Sequence, residues 1–182
     1  MTAEEAFVAF NLALEKLSVP HMIVGAFSVN LYAVPRSTQD ADYLVEFNET
    51  RLEDLMQILP EPFELDPQAQ FDITAETTRH EIHVDSIPYR FELFDLSGDA
   101  HDRERFKRKL RVKMEGFSVW APTPEDVVIT KLRWYKAASR SKDLEDARNL
   151  VVIQGSDLQS TYIQSWCEQH GTMELYRSLA KS

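Results

Sequence analysis

Hydrophobic side chains near the start of the chain recur every three or four residues. Phe7, Phe10, Leu14 and Leu17 form the stripe of an amphipathic helix. Thr2, followed three residues on by Glu5, supplies a capping box, and Pro20 bars continuation. The pattern then changes. "HMIV", residues 21–24, reads as a short strand broken at Gly25, and Ala26 to Ala33 as a short helix that stops before Pro35. "DYLVEF", 42–47, is a second strand, and "NETRLEDLMQILP", 48–60, a helix capped by Asn48 or Thr50. Strand patterns follow in "FDIT" (71–74), "RHEIHV" (79–84), "RFELF" (90–94) and a hairpin about Gly116, with a short helix over 99–109. Thr123 and Pro124 suit a cap and a first helical position. Helices are expected over 124–138, 142–153 and 157–169, with a last short turn after Gly171. This order predicts an α/β (α+β) fold: a central mixed sheet flanked by helices over 1–121, and a helical region over 122–182 packed on it.

Composition narrows the possibilities. Of 182 residues, 43% are hydrophobic and 27% charged, the balance of a globular protein. No apolar run approaches a membrane span, and "MTAEEAF" lacks the basic and apolar regions of a signal peptide. Cys167 is the single cysteine, so no internal disulfide can form, and a cytoplasmic location is the expectation. The net charge of −10 is uneven: residues 103–113, "RERFKRKLRVK", hold seven basic residues and one acid, leaving −16 on the rest. An acidic body repels nucleic acid at long range, so only a local basic stripe could hold RNA phosphates. Phe106 and Leu110 at helical spacing would pack inward and leave Arg103, Lys107 and Arg111 as that stripe.

Two acids one residue apart carry the strongest chemical signal. Asp40 and Asp42 project to the same face of a strand, where they repel unless a cation lies between them. A divalent metal is the usual cation there. Gly25, thirteen or more residues earlier, lets backbone approach closely, and the turn after it presents free N–H groups to an anion. A phosphate cradle facing a metal site is the layout that phosphoryl or nucleotidyl transfer needs. Among later acids, Glu92 lies between apolar neighbours in "RFELF", whereas Asp85 in "HVDSI" sits next to Ser86 and near Pro88, as at a strand end. His80 and His83 stand with Asp85 in composition only, because positions i and i+3 of a strand face opposite sides.

"VGAFSVNLYAVPRSTQDADYLV" resembles the nucleotidyltransferase superfamily of DNA polymerase β, most closely its AbiEii/AbiGii-type toxin branch. That branch has a glycine turn followed by Arg-x-Thr-x-Asp-hydrophobic-Asp, matched by Arg36, Thr38, Asp40 and Asp42. "EDVVITKLRWYKAASRSKDLEDARNLV" is similar to its later signatures, through Lys131 and through Lys142, Asp143 and Asp146. The resemblance implies a nucleotidyltransferase-fold core and a nucleoside triphosphate (NTP) substrate. It also implies two Mg²⁺ ions held by Asp40, Asp42 and Glu92. Gly25, Ala26, Ser28, Arg36, Thr38 and Lys131 would then surround the nucleotide. Ala26 replaces the usual second Gly or Ser, so Ser28 is the substitute hydroxyl. Arg36 either touches the nucleotide or fixes its own loop by pairing with the aspartates. Asp143 and Asp146, on one helical face, would pair with Lys142 or Arg148, and Trp134 and Tyr135 would pack between the two parts or stack on a base. The acceptor it implies is RNA or a protein, with RNA the expectation; transfer to a small molecule of the antibiotic type is the first alternative, and a cognate antitoxin is an expected partner of a toxin. A nucleotide-binding module without catalysis is the reading from another class.

Overall fold

A computed structural model describes residues 1–73, 76–85, 87–114 and 116–180. The first helix, α1 (Ala3–Lys16), begins with the capping box: Glu5 N donates to Thr2 Oγ1 and Thr2 N to the Glu5 carboxylate. Strands β1 (His21–Ile23), β2 (Asp40–Val45), β3 (Phe63–Leu65), β4 (Gln70–Asp72), β5 (Thr77–Val84) and β6 (Arg90–Asp95) form one mixed sheet. Its order is β1-β2-β6-β5-β3, with β4 also on the outer side of β5. Among the described residues, only β2 and β6 run parallel; the remaining pairs are antiparallel. The expectation of a central mixed sheet flanked by helices holds.

Alternation divides this sheet into two unlike faces. One face carries Ala41, Tyr43, Val45, Ile82, Phe91 and Leu93, which α1 covers with Phe7, Phe10 and Leu14. Tyr43 keeps its hydroxyl satisfied there through Asn11 Nδ2 at 2.7 Å. The other face is covered over only half its length. At the far end of β2, Leu44 packs with Met22, Val24, Phe106 and Trp120, contributed in part by α4 (Ala100–Lys107) and by β8 (Ser118–Ala121), which forms a separate hairpin with β7 (Leu110–Lys113). At the near end the same face bears Asp40, Asp42, Arg90, Glu92 and Glu81, and it lies open.

The helices α5 (Pro124–Ala138), α6 (Ser141–Gln154), α7 (Ser160–His170) and α8 (Met173–Ala180) share a second core with Val29 of α2 (Gly25–Asn30). This packing brings α5 and α6 over the open half of the sheet. A buried polar hub ties them to α4. Asp126, wholly buried, accepts from Thr123 Oγ1 at 2.8 Å and Tyr162 OH at 2.7 Å, and pairs with His101 Nε2 at 3.2 Å and Arg108 Nε at 3.3 Å. Against burial, the hydrogen bonds from His101, Tyr162 and Thr123 hold its carboxyl below the ordinary range.

Several local expectations shift. The helix α3 (Leu52–Ile58) has Arg51, not Asn48 or Thr50, at its N-cap, because Asp54 caps the Arg51 amide (2.9 Å) and the Thr50 hydroxyl turns to the Leu17 carbonyl. Strand β3 was not legible: three residues beside a proline are too few to establish a period. Strand β2 starts at Asp40, α2 starts at Gly25, and the final turn is the two-turn helix α8. Of "FDIT", Phe71 and Asp72 are in β4, while Thr74 lies outside the described residues.

Candidate active site

The open half of the sheet and the facing helices bound a polar cleft. It is lined by Gly25, Ala26, Arg36, Thr38, Asp40, Asp42, Glu92, Lys131, Trp134, Arg140, Lys142 and Asp143. One wall is acidic. The parallel register sets Asp42 directly beside Glu92, and the antiparallel register sets Glu92 beside Glu81. Burial and the neighbouring carboxylates of Glu92 and Asp40 push the Asp42 carboxyl up to about 7. Burial raises Glu92 as well, against the opposing pull of Arg79 and Arg90. Asp85 lies past the end of β5, exposed and outside the cleft. His80 pairs with Asp95 and His83 with Glu81, on opposite faces.

Gly25 fits this wall in two respects. Its φ of +60° is a conformation L side chains rarely adopt, and a Cβ built on it would lie 1.7 Å from Asp42 Oδ2. The glycine thus leaves the space that the Asp42 carboxylate fills. Val24 N donates to the Asp42 carbonyl at 2.8 Å, which locks the turn onto β2. Thr38 prepares the start of that strand, its hydroxyl bonding to the carbonyl and amide of Asp40. Ser28 is placed differently from the other residues of the motif. It is buried, its hydroxyl donates to the Gly25 carbonyl at 2.9 Å, and it does not line the cleft.

The opposite wall is cationic. Lys131 is 3% exposed, and its Nζ lies 2.9 Å from both Asp143 Oδ1 and Asp146 Oδ2. Arg36 adds Nε and Nη2 contacts of 3.3 and 3.2 Å to Asp146, and Arg140 Nε is 2.8 Å from Asp143. Asp143 and Asp146 therefore pair with Lys131, Arg36 and Arg140 rather than with Lys142 or Arg148. Arg36 pairs with an aspartate of α6, not with those of β2, and Asn30 holds its backbone on both sides. Trp134 is part of the cleft, with Lys131 and Arg140 cations 5.2 and 5.6 Å from its ring centre. Sequence reasoning missed Arg140. Its signal was its position three residues before Asp143, the spacing of a helical ion pair. Replacing Lys131 by Met is expected to cost on the order of 3 kcal/mol by leaving two buried carboxylates short of a cation. Thermal unfolding checks it: a fall of roughly 10 °C is expected for a chain of this size.

The basic run does not form one stripe. Helix α4 ends at Lys107, so Arg111 belongs to β7 and Leu110 is exposed. Arg103 pairs with Glu46 at 2.8 Å and Arg111 with Glu15 at 3.4 Å, while Arg105 is buried against Asp102. Glu46 lies four residues beyond Asp42, about 13 Å along the strand. A further group of potential ligands, Asp99, His101 and Asp102, has its atoms within 4.8 Å of one another at the start of α4. It lies outside the cleft, and Arg133 and Arg105 already pair with its two carboxylates.

Residues 7–167 match the family described as nucleotidyltransferase of unknown function (DUF6036). The chain belongs to that family. Among curated proteins, none matches it in sequence. Two solved structures of the antibiotic-resistance factor ANT(2'')-Ia share the fold. The solution structure has a TM-score of 0.61 at 10% identity, covering 96% of each chain. The crystal structure with adenylyl-2''-tobramycin has a TM-score of 0.62 at 12% identity, covering 92% of this chain and 99% of that one. An antigenic nucleotidyltransferase-like protein from Paracoccidioides brasiliensis is similar at a TM-score of 0.59 and 18% identity, over 100% of this chain and 94% of that one. At such identities the likeness is one of fold. Through that family the chain is a member of the nucleotidyltransferase superfamily, and a nucleotide is the substrate the family implies. Among the described residues no helix is long and apolar enough to cross a membrane.

Proposed function

We propose that this protein transfers a nucleoside monophosphate from an NTP to an acceptor hydroxyl, at a site formed by Asp40, Asp42 and Glu92. One observation carries the reading: three carboxylates on adjacent strands converge beside the Gly25 turn, where burial and their mutual repulsion push the Asp42 carboxyl up to about 7. Such a set fits Mg²⁺, a hard cation that takes oxygen ligands. When bound, such an ion would supply positive charge against the phosphates and the leaving pyrophosphate. Asp40 and Asp42 would hold it. Glu92, beside them, raised by burial against the opposing pull of Arg79 and Arg90, would complete the metal site and accept the proton of the attacking hydroxyl. The α-phosphorus–oxygen bond to pyrophosphate breaks as the bond to the acceptor oxygen forms.

The phosphates have cations to meet on the other wall. Lys131, enclosed by two aspartates, acts there by its field, whereas Lys142, and Arg140 beyond its pair with Asp143, are exposed at the cleft where phosphates could meet them. Arg36, fastened to Asp146, positions the loop between Gly25 and β2. Trp134 offers a ring on which a base could stack.

The acceptor we favour is a small molecule. The ion pairs of Arg103 and Arg111, and the distance along β2, speak against RNA held by a continuous stripe. The shared fold with an antibiotic-resistance nucleotidyltransferase is compatible with this choice but does not identify the molecule. The toxin role and its antitoxin rest on the AbiEii/AbiGii resemblance alone.

The test is incubation with each α-labelled NTP, Mg²⁺, and in turn total RNA, total protein and a small-metabolite extract. Metal-dependent release of labelled product into the small-molecule fraction is expected. No pyrophosphate release with any acceptor would defeat the enzymatic reading and leave a binding module. Glu92→Gln should lower turnover by about 10²–10³-fold with triphosphate affinity nearly unchanged, and Asp85→Asn should change little. The reverse result would make Asp85 the acid. Changing Arg103, Lys107 and Arg111 together to Glu should spare transfer, and abolished RNA labelling in that variant would restore RNA as the acceptor.

A further inference from the structure

The acidic wall contains a cation of its own. Arg90 faces Asp40 across the β2–β6 ladder, with Nε 2.5 Å from Asp40 Oδ1. The same guanidinium reaches Glu81 Oε1 (Nη1, 3.6 Å) and Glu92 Oε1 (Nε, 3.8 Å). It therefore stands among carboxylates from three adjacent strands, two of which are the ligands proposed above. Its side chain is 46% exposed, so charge rather than packing holds it there. Lys131 differs in this respect, being 4% exposed and fixed between two buried partners.

An oxygen lone pair engaged by a guanidinium is not available to a divalent ion, and two cations so close together repel. We infer that Arg90 is a resident counter-cation of the metal site, which an arriving divalent ion must displace from Asp40. Arg90 and Asp40 also line an adjoining groove with Gln39, His83, Ile87 and Tyr89, which offers the displaced side chain room. The inference rests on the metal reading of Asp40, Asp42 and Glu92. Its consequence is that the ion-free cluster carries its own partial neutralisation, at a cost in metal affinity. An arginine that merely positioned Asp40 for the metal would have the opposite effect on that affinity.

The experiment measures Mn²⁺ binding without nucleotide, by calorimetry, for the whole protein and three variants. Arg90→Gln is expected to bind Mn²⁺ about fivefold tighter, the effect of removing one partly exposed competing ion pair. Arg90→Lys, with a point charge that cannot engage several carboxylates at once, should fall between it and the parent. Arg177→Gln removes the same charge from the Glu174 pair on α8 and should leave affinity unchanged. Melting curves give a second readout: Arg90→Gln should melt lower without metal and gain more from Mn²⁺ than the parent does. Unchanged or weaker binding by Arg90→Gln overturns the inference, as does equal tightening by Arg177→Gln, which would reduce the effect to net charge. Should Arg90→Gln not fold, Arg90→Lys decides by the sign of its change. Failure of the parent and every variant to bind Mn²⁺ overturns the metal reading itself, and the inference with it.

Discussion

Asp42→Asn is expected to abolish divalent-ion-dependent triphosphate binding and to raise the melting temperature of the ion-free protein at pH 8. Both effects come from one carboxylate. In the folded chain, burial with Glu92 and Asp40 alongside holds its pKa at about 7, against roughly 3.9 in an unfolded chain. The native state thus binds the proton more tightly. Its stabilising contribution is full below the unfolded pKa, is lost as pH rises toward 7, and is absent above. The ion-free parent should therefore melt higher at pH 5.5 than at pH 8, and part of that difference should vanish in Asp42→Asn. Divalent ions select the deprotonated form, so their apparent affinity in the parent should rise up to about tenfold per pH unit below 7 and level off above it. Differential scanning fluorimetry with and without Mn²⁺ across this range measures both trends. A pH-independent Mn²⁺ shift, or full transfer activity in Asp42→Asn, would show that Asp42 is not a ligand.

Gly25→Ala should disable the same site without removing any carboxylate. The new methyl group would meet Asp42 Oδ2 at 1.7 Å and Cγ at 2.7 Å, while the backbone holds φ at +60°. The left-handed conformation alone costs on the order of 1 kcal/mol for alanine. The clash forces the Asp42 side chain out of its position beside Glu92. Loss of Mn²⁺ binding comparable to that of Asp42→Asn is expected, with destabilisation of about 1–3 kcal/mol. A double-mutant cycle isolates the cause. With Asp42 already truncated to Ala, Gly25→Ala should cost only its backbone term, giving a coupling energy between the two positions of about 1 kcal/mol or more. Additive effects would mean that the glycine serves the turn and not the carboxylate.

What could be read along the chain was what depends on local period and local chemistry. The helical stripe of Phe7, Phe10 and Leu14, the Thr2–Glu5 capping box and the Thr123–Pro124 start each lie within a few residues. The common face of Asp40 and Asp42 follows from strand alternation alone. Tertiary structure decided which distant residues join them. That Glu92 stands beside Asp42, fifty positions away in the chain, follows from the parallel register of β2 and β6. That register is set by the packing of Ala41, Tyr43, Phe91 and Leu93 on α1, since a slip of one residue would turn these toward solvent. Burial and competing partners decided the fate of the charges, and neither is visible in a sequence. Lys131 is consumed by Asp143 and Asp146, Ser28 turns its hydroxyl inward, and Arg36 reaches across to α6. The basic run, continuous in sequence, is divided among a helix end, a strand and a buried hub, because the chain leaves α4 at Lys107 and each arginine pairs with the nearest carboxylate the fold presents.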